Sequence, residues 1–183
     1  MKLLTKKIRL IPFEQSHWPY IYAWANTGDY DYFFGNVGPL TMDHCTQFNQ
    51  NGVNLMIVNS ANVQDILGVI SLSNIDDRSR KFHYNVLVDK RCRRSGIARE
   101  ASKLALYYGF NNLNFYKAVA FVVEENLQSK ALTESFGFEN EAVLKHEIYY
   151  DGDFKDVLRY RMLKGPFNKL YKAEVEELTK VVN

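Results

Sequence analysis

The chain has 183 residues, 46% of them hydrophobic and 24% charged, enough apolar material for one buried core or one core plus a tail. A formal net charge of +2 is too small for bulk nucleic-acid binding, and no apolar run approaches the length of a membrane span. Met1–Lys7 lacks the apolar segment of a signal peptide, Cys45 and Cys92 lack disulfide or metal-ligand spacing, and the histidines (His17, His44, His83, His146) are scattered, so a cytoplasmic protein with no structural metal is expected.

In chain order, Ile8–Ile11 reads as a strand closed by Pro12. Ser16 is the expected N-cap of a helix reaching about Trp24, with Ile21 and Trp24 on one face. The loop from Asn26 to Pro39 is rich in aromatics and glycine (Tyr30, Tyr32, Phe33, Phe34, Gly35, Gly38) and either folds onto the core or lines a pocket. Thr41 then caps a short helix. Leu55–Val58, Ile66–Leu72 and Phe82–Val88 read as three strands, with turns at Ala61–Asp65 and Asp76–Arg80.

The next stretch, Val88 to Arg99, runs from a strand through a basic glycine turn into an amphipathic helix. Four of the five residues from Lys90 to Arg94 are cationic, and the small residues Ser95, Gly96 and Ala98 let backbone N–H groups approach an anion. The helix start adds unpaired donors and the positive end of its dipole. The pattern fits a phosphate-bearing ligand. Ile97, Ala101, Leu104, Ala105 and Tyr108 keep helical spacing.

Ala118–Val123 is a strand, and Asn126 caps a helix from Leu127 to Phe136 that Gly137 ends. Tyr149 to Phe154 carries the Asp-Gly signal of a hairpin. Gly165-Pro166 reads as a break between a domain of residues 1–165 and a helical extension of residues 166–183. In that extension Tyr171, Val175, Leu178 and Val182 recur at heptad-like spacing. Such a tail docks either on its own domain or on a second subunit. The whole order predicts a mixed sheet covered by helices, with the anion site beyond the carboxyl end of a strand.

Arg93-Arg94-Ser95-Gly96-Ile97-Ala98 resembles the pyrophosphate loop of the GNAT superfamily of acetyl-CoA-dependent N-acetyltransferases. Asn126, Ser129, Leu132 and the pair Gly137-Phe138 resemble its second motif. Ala101–Phe110, Leu113–Lys117 and the stretch from Lys145-His146-Glu147 through Gly152 to Arg159 are similar to the branch holding ribosomal-protein alanine and bacterial spermidine N-acetyltransferases. The resemblance covers about Lys7 to Leu163. It implies an α/β fold of α+β type: a mixed, mostly antiparallel, splayed sheet flanked by helices, with a C-terminal helical tail.

It also implies acetyl-CoA as acetyl donor. Val86, Leu87 and Val88 would pair with the pantetheine arm, and the amides of Arg94, Ser95, Gly96, Ile97, Ala98 and Arg99 would hold the pyrophosphate, with Arg93 and Arg94 as its charge partners. Asn126 and Ser129 would contact the cofactor, although Asn126 also serves as a cap alone. An alkylammonium of pKa near ~10 must lose a proton before it attacks. His83 stands where the spermidine enzymes carry a glutamate, and is either that base or a histidine held inert in the sheet face. Thr133 occupies the position of the family's proton-donating tyrosine, four residues before Gly137-Phe138. Its hydroxyl is a far poorer donor, though a thiolate of pKa near ~8.5 can leave unprotonated.

The expected partner is a small-molecule primary amine, polyamine-like, contacted by Tyr30, Phe33, Phe34 and Tyr149. Asp29, Asp31, Glu147, Asp151, Asp153 and Asp156 are candidate amine partners. An amino-sugar nucleotide or a protein N-terminus are the other acceptors, and an idle acyl-CoA-binding domain is the alternative of another class. No nucleic-acid or membrane partner is expected; a homo-oligomer is compatible with the tail.

Overall fold

A computed structural model describes residues 3–27, 40–43 and 52–180. One seven-stranded sheet organises them, in the order β1-β2-β3-β4-β5-β7-β6. β1 (Ile8–Pro12), β2 (Gly52–Asn59), β3 (Ile66–Asp76) and β4 (Lys81–Val88) form an antiparallel meander. β5 (Lys117–Val123) lies parallel to β4, and β7 (Asp153–Leu163) pairs antiparallel with both β5 and β6 (Glu139–Tyr150). The sheet is therefore mixed and mostly antiparallel, as expected.

α1 (Trp18–Ala25) lies between β1 and β2 in the chain, α2 (Ile97–Tyr107) follows β4, α3 (Leu127–Ser135) follows β5, and α4 (Lys164–Lys180) ends the described chain. Strand alternation sorts the side chains between two faces. Phe82, Tyr84, Ala118, Ala120, Leu158, Tyr160 and Met162 meet Ala101 and Leu104 of α2 and Phe136 in one core. Met56, Val58, Val69 and Leu87 meet Ile21 and Trp24 of α1 on the other.

Two expectations are corrected. Ser16 is not an N-cap: it lies inside a 3-10 turn, Gln15–His17, which precedes α1. The turn is closed by the Glu14 N–H donating to His17 Nδ1 at 2.9 Å, and Pro19 fits the first turn of α1, where no intrahelical acceptor is needed. Gly165-Pro166 does not break the chain either. α4 starts at Lys164, directly from β7, with the proline in its first turn. Phe167, Tyr171 and Val175 sink into the main core, so the helix docks on its own chain; Val182 lies outside the described residues. Thr41 does precede helical residues 42 and 43, where the described segment stops.

Candidate active site

β4 and β5 pair over only three positions: Lys81 with Lys117, Phe82 with Ala118, and His83 with Val119. Beyond His83 the strands diverge. The β5-facing edge of β4 from Tyr84 to Val88 has no strand beside it, while β3 pairs its other edge through Val88. A cleft of about 550 Å³ opens there. Val86, Leu87 and Val88 line one wall, Ala120 to Val123 the other, and Asn126, Ser129, Leu132 and Thr133 of the α3 segment close it.

At the mouth, the chain leaves β4 through a 3-10 turn, Lys90–Cys92, capped by Asp89, whose carboxylate accepts from the Arg91 N–H at 2.9 Å. Asp89 also accepts from Trp24 Nε1 at 3.2 Å and Arg91 Nε at 3.1 Å. Burial would raise its pKa, but these hydrogen bonds and the Arg91 charge outweigh that and hold the carboxyl below the usual range. Arg91 further reaches Asp65 at 3.5 Å and the Ile66 carbonyl at 2.9 Å. Its charge is thus tied to the scaffold. Arg93 lines the cleft.

Arg94 (φ 62°) and Gly96 (φ 83°) both take left-handed backbone, which bends the chain sharply into α2. Ser95 Oγ donates to the Cys92 carbonyl at 2.5 Å and accepts from the Ile97 N–H at 3.3 Å. The remaining first-turn amides, including those of Ala98 and Arg99, have no intrahelical acceptor. A Cβ at Gly96 would meet nothing within 4 Å, so the turn is open to a ligand and its glycine answers to φ alone. Ala98 lines the cleft. The Arg99 side chain turns away, donating to Ser135 Oγ at 2.9 Å with its guanidinium 5.1 Å from the Phe136 ring centre.

Asn126 caps α3, Oδ1 accepting from the Ser129 N–H at 3.1 Å, and both residues line the cleft. Thr133 is 5% exposed and faces the same space. Two tyrosines that the sequence did not single out join it. Tyr84 is buried against Ser102, its hydroxyl hydrogen-bonded to Oγ, and burial drives its pKa far up. Tyr150 reaches the cleft from the β6–β7 hairpin. Its neighbour Tyr149 is 60% exposed and packs on Phe154, ring centres 5.3 Å apart. Strand alternation says that the two tyrosines face opposite ways; which one faces the cleft is set by pairing far along the chain.

His83 sits at the vertex of the splay, half-buried. Its ring meets Phe121, a cleft residue, edge-on at 5.0 Å, and its Nδ1 lies 3.0 Å from the Asn74 amide. Burial first, then the Arg159 and Lys81 charges, lower its pKa below the ordinary histidine value. Arg159 is itself paired with Glu141 at 3.2 Å, and Glu141 with Lys117 at 2.7 Å.

Tyr30, Phe33, Phe34, Asp29 and Asp31 lie outside the described residues. Of the hairpin acids, Asp156 is held by Lys145 at 2.6 Å and Asp153 lies 3.7 Å from Lys155, while Asp151 forms the turn at φ 50° and Glu147 is exposed. Among the described residues no cluster of three metal-ligating side chains occurs, and no helix is long and apolar enough to cross a membrane.

A family model described as an acetyltransferase (GNAT) domain matches residues 7–139. Spermidine N(1)-acetyltransferase of Escherichia coli (strain K12) is 27% identical over 113 residues, 62% of this chain and 61% of that one. The Vibrio cholerae (El Tor Inaba N16961) enzyme of the same name is 28% identical over 104 residues, 57% of this chain and 60% of the relative. The chain thus spans about three fifths of these relatives' lengths. In solved structures, spermidine N-acetyltransferase from Vibrio cholerae, in complex with CoA and spermine, superposes with a TM-score of 0.80 at 21% identity, covering 88% of this chain and 98% of that one. Fold, glycine turn and splayed cleft agree with the match: the chain belongs to the GNAT acetyltransferase family.

Proposed function

We propose that this protein transfers an acetyl group from acetyl-CoA to the primary amine of a small, polyamine-like molecule. Bound acetyl-CoA supplies an activated thioester carbonyl. The open β4 edge at Val86–Val88 suits its amide-bearing arm, and the α2 first-turn amides with Arg93 and Arg94 suit its pyrophosphate. The clear space over Gly96 supports that fit. The observation that carries the reading is the run of one cleft from Arg93 and Ala98, at the start of α2, to Phe121, the ring on which His83 rests.

His83 takes the acceptor's proton. Its lowered pKa keeps it uncharged at neutral pH, hence able to accept. Thr133 and Tyr150 face the space where the thiolate would form, and a thiolate of pKa near ~8.5 departs with hydrogen bonding alone. The polyamine-like acceptor is carried over from the spermidine-named relatives. We assign the activity to the cytoplasm, where acetyl-CoA is available. A homo-oligomer is the assembly proposed, as spermidine N-acetyltransferase from Vibrio cholerae has a dodecameric structure.

The test is release of free thiol from acetyl-CoA in the presence of spermidine, an amino-sugar nucleotide or an N-terminal peptide, with His83→Ala in parallel. Release with spermidine that the variant loses supports enzyme, acceptor and base together. Release with another amine alone replaces the acceptor. Saturable CoA binding without release from any amine overturns the enzyme in favour of a binding domain.

A further inference from the structure

β3 does not run straight past His83. Ser73 lies directly opposite His83 in the β3–β4 ladder, which then slips and resumes only at Asp76 opposite Lys81. Asn74 sits in the slip with φ 44°, in the left-handed region. In an unbroken strand it would point to the face opposite Ser73 and His83. The bulge instead brings Nδ2 of its amide to 3.0 Å from His83 Nδ1. Asparagine is one of the few residues besides glycine that adopts this backbone at small cost.

We infer that Asn74 is a positioning residue that holds the His83 imidazole in the tautomer with its proton on Nδ1, leaving the Nε2 lone pair for the acceptor amine. The inference rests on His83 being the base of the proposed reaction. The amide stands with Nδ2 toward the ring, but it has the same shape turned end for end, and a half-turn about its last bond puts Oδ1 in that place; the inference takes that turned orientation. Only the carbonyl end serves a base. Oδ1 accepts from Nδ1–H before the proton arrives at Nε2, and still accepts once both nitrogens carry hydrogen. With Nδ2 there instead, Nε2 would hold the proton and have no lone pair to offer, and the contact would be lost as the ring charged.

The other groups around the ring cannot replace this contact. Phe121 meets it edge-on from β5. Lys81, two residues away on β4, and Arg159 from β7 are cations, and Glu141 of β6 is engaged with Arg159 and Lys117. Among the described residues, the Asn74 amide is the group within hydrogen-bond reach of Nδ1. Which ring nitrogen keeps the proton is set by that bond.

The test is nitrogen-15 NMR of the His83 ring in the ligand-free protein, alongside kinetics, for the wild type, Asn74→Gly and Asn74→Asp. Glycine accepts φ 44° without strain, so it removes the amide and keeps the bulge. The wild-type ring is expected as Nδ1–H. Asn74→Gly should lose that tautomer and lower kcat roughly 10- to 100-fold with the KM for acetyl-CoA unchanged. Asn74→Asp should keep Nδ1–H and move the acid limb of the kcat profile to higher pH, because a carboxylate favours the imidazolium. An Nε2–H ring in the wild type, or an Asn74→Gly variant with unchanged ring and kcat, overturns the inference. Wild-type turnover by His83→Ala overturns the base reading instead, whatever the ring spectra show.

Discussion

Lys103, in the middle of α2, hydrogen-bonds Glu174 of α4 and holds its ammonium 5.3 Å from the centre of the Tyr171 ring. The lysine side chain is 11% exposed and the glutamate 46%, so the pair is dry at one end only. Tyr107 repeats the link one turn on, its hydroxyl donating to Glu176 at 2.9 Å. Removing the ammonium leaves a carboxylate that water can still reach, whereas removing the carboxylate strands a buried cation. Lys103→Met should therefore cost about 1 kcal/mol and Glu174→Ala about 2 kcal/mol, measured by urea unfolding. Equal costs would show that burial of the lysine is not what matters.

Gly96 and Asn126 separate scaffold from ligand roles. At φ 83° with open space around it, Gly96→Ala should lose only about 1–2 kcal/mol of stability. Gly96→Asp should in addition abolish CoA binding by calorimetry, since its carboxylate would stand at the proposed pyrophosphate site.

Asn126→Asp keeps an acceptor for the Ser129 N–H and should fold as the parent does, while Asn126→Ala should lose about 1 kcal/mol with the cap. Weakened CoA binding by both variants would make the side chain a ligand contact; weakened binding by Asn126→Ala alone would make it a cap.

His83 sets two pH dependences. Its folded pKa lies below the unfolded value near 6.5, so the native state binds fewer protons at this site. Stability from the uncharged ring is present above the unfolded pKa and is lost as pH falls through the folded one. His83→Gln should flatten that acid slope in thermal unfolding. The acid limb of kcat/KM should fall below the ordinary histidine range, and Arg159→Gln should move it up by removing a cation.

Tyr150→Ala should raise the KM for acetyl-CoA several-fold, and Tyr149→Ala should leave it unchanged, because only the first lines the cleft. The reverse result would mean that the hairpin rotates when ligand binds.

The parts of this fold legible in the sequence are those fixed locally. Strand runs such as Ile66–Leu72, the Asp151-Gly152 turn and the Asn126 cap declare themselves through neighbours a few residues away, and the structure keeps all three. What depended on distant pairing did not declare itself. The slip at Asn74 answers to β4, and the direction of Tyr150 answers to β5 through β7. Arg91 looked like part of a basic anion turn because its partner Asp65 is invisible until β3 and β4 lie side by side. Gly165-Pro166 misled for a local reason: a proline that ends one helix also begins another.

The three-pair contact between β4 and β5 makes the sheet two panels joined by a short seam, β1–β4 on one side and β5–β7 with β6 on the other. Backbone groups along the open part of β4 meet water until something extended lies in the gap. An occupant there would act as a removable eighth strand, shared by both panels. Its arrival would stiffen the joint between them, and its departure would give the panels back their independence.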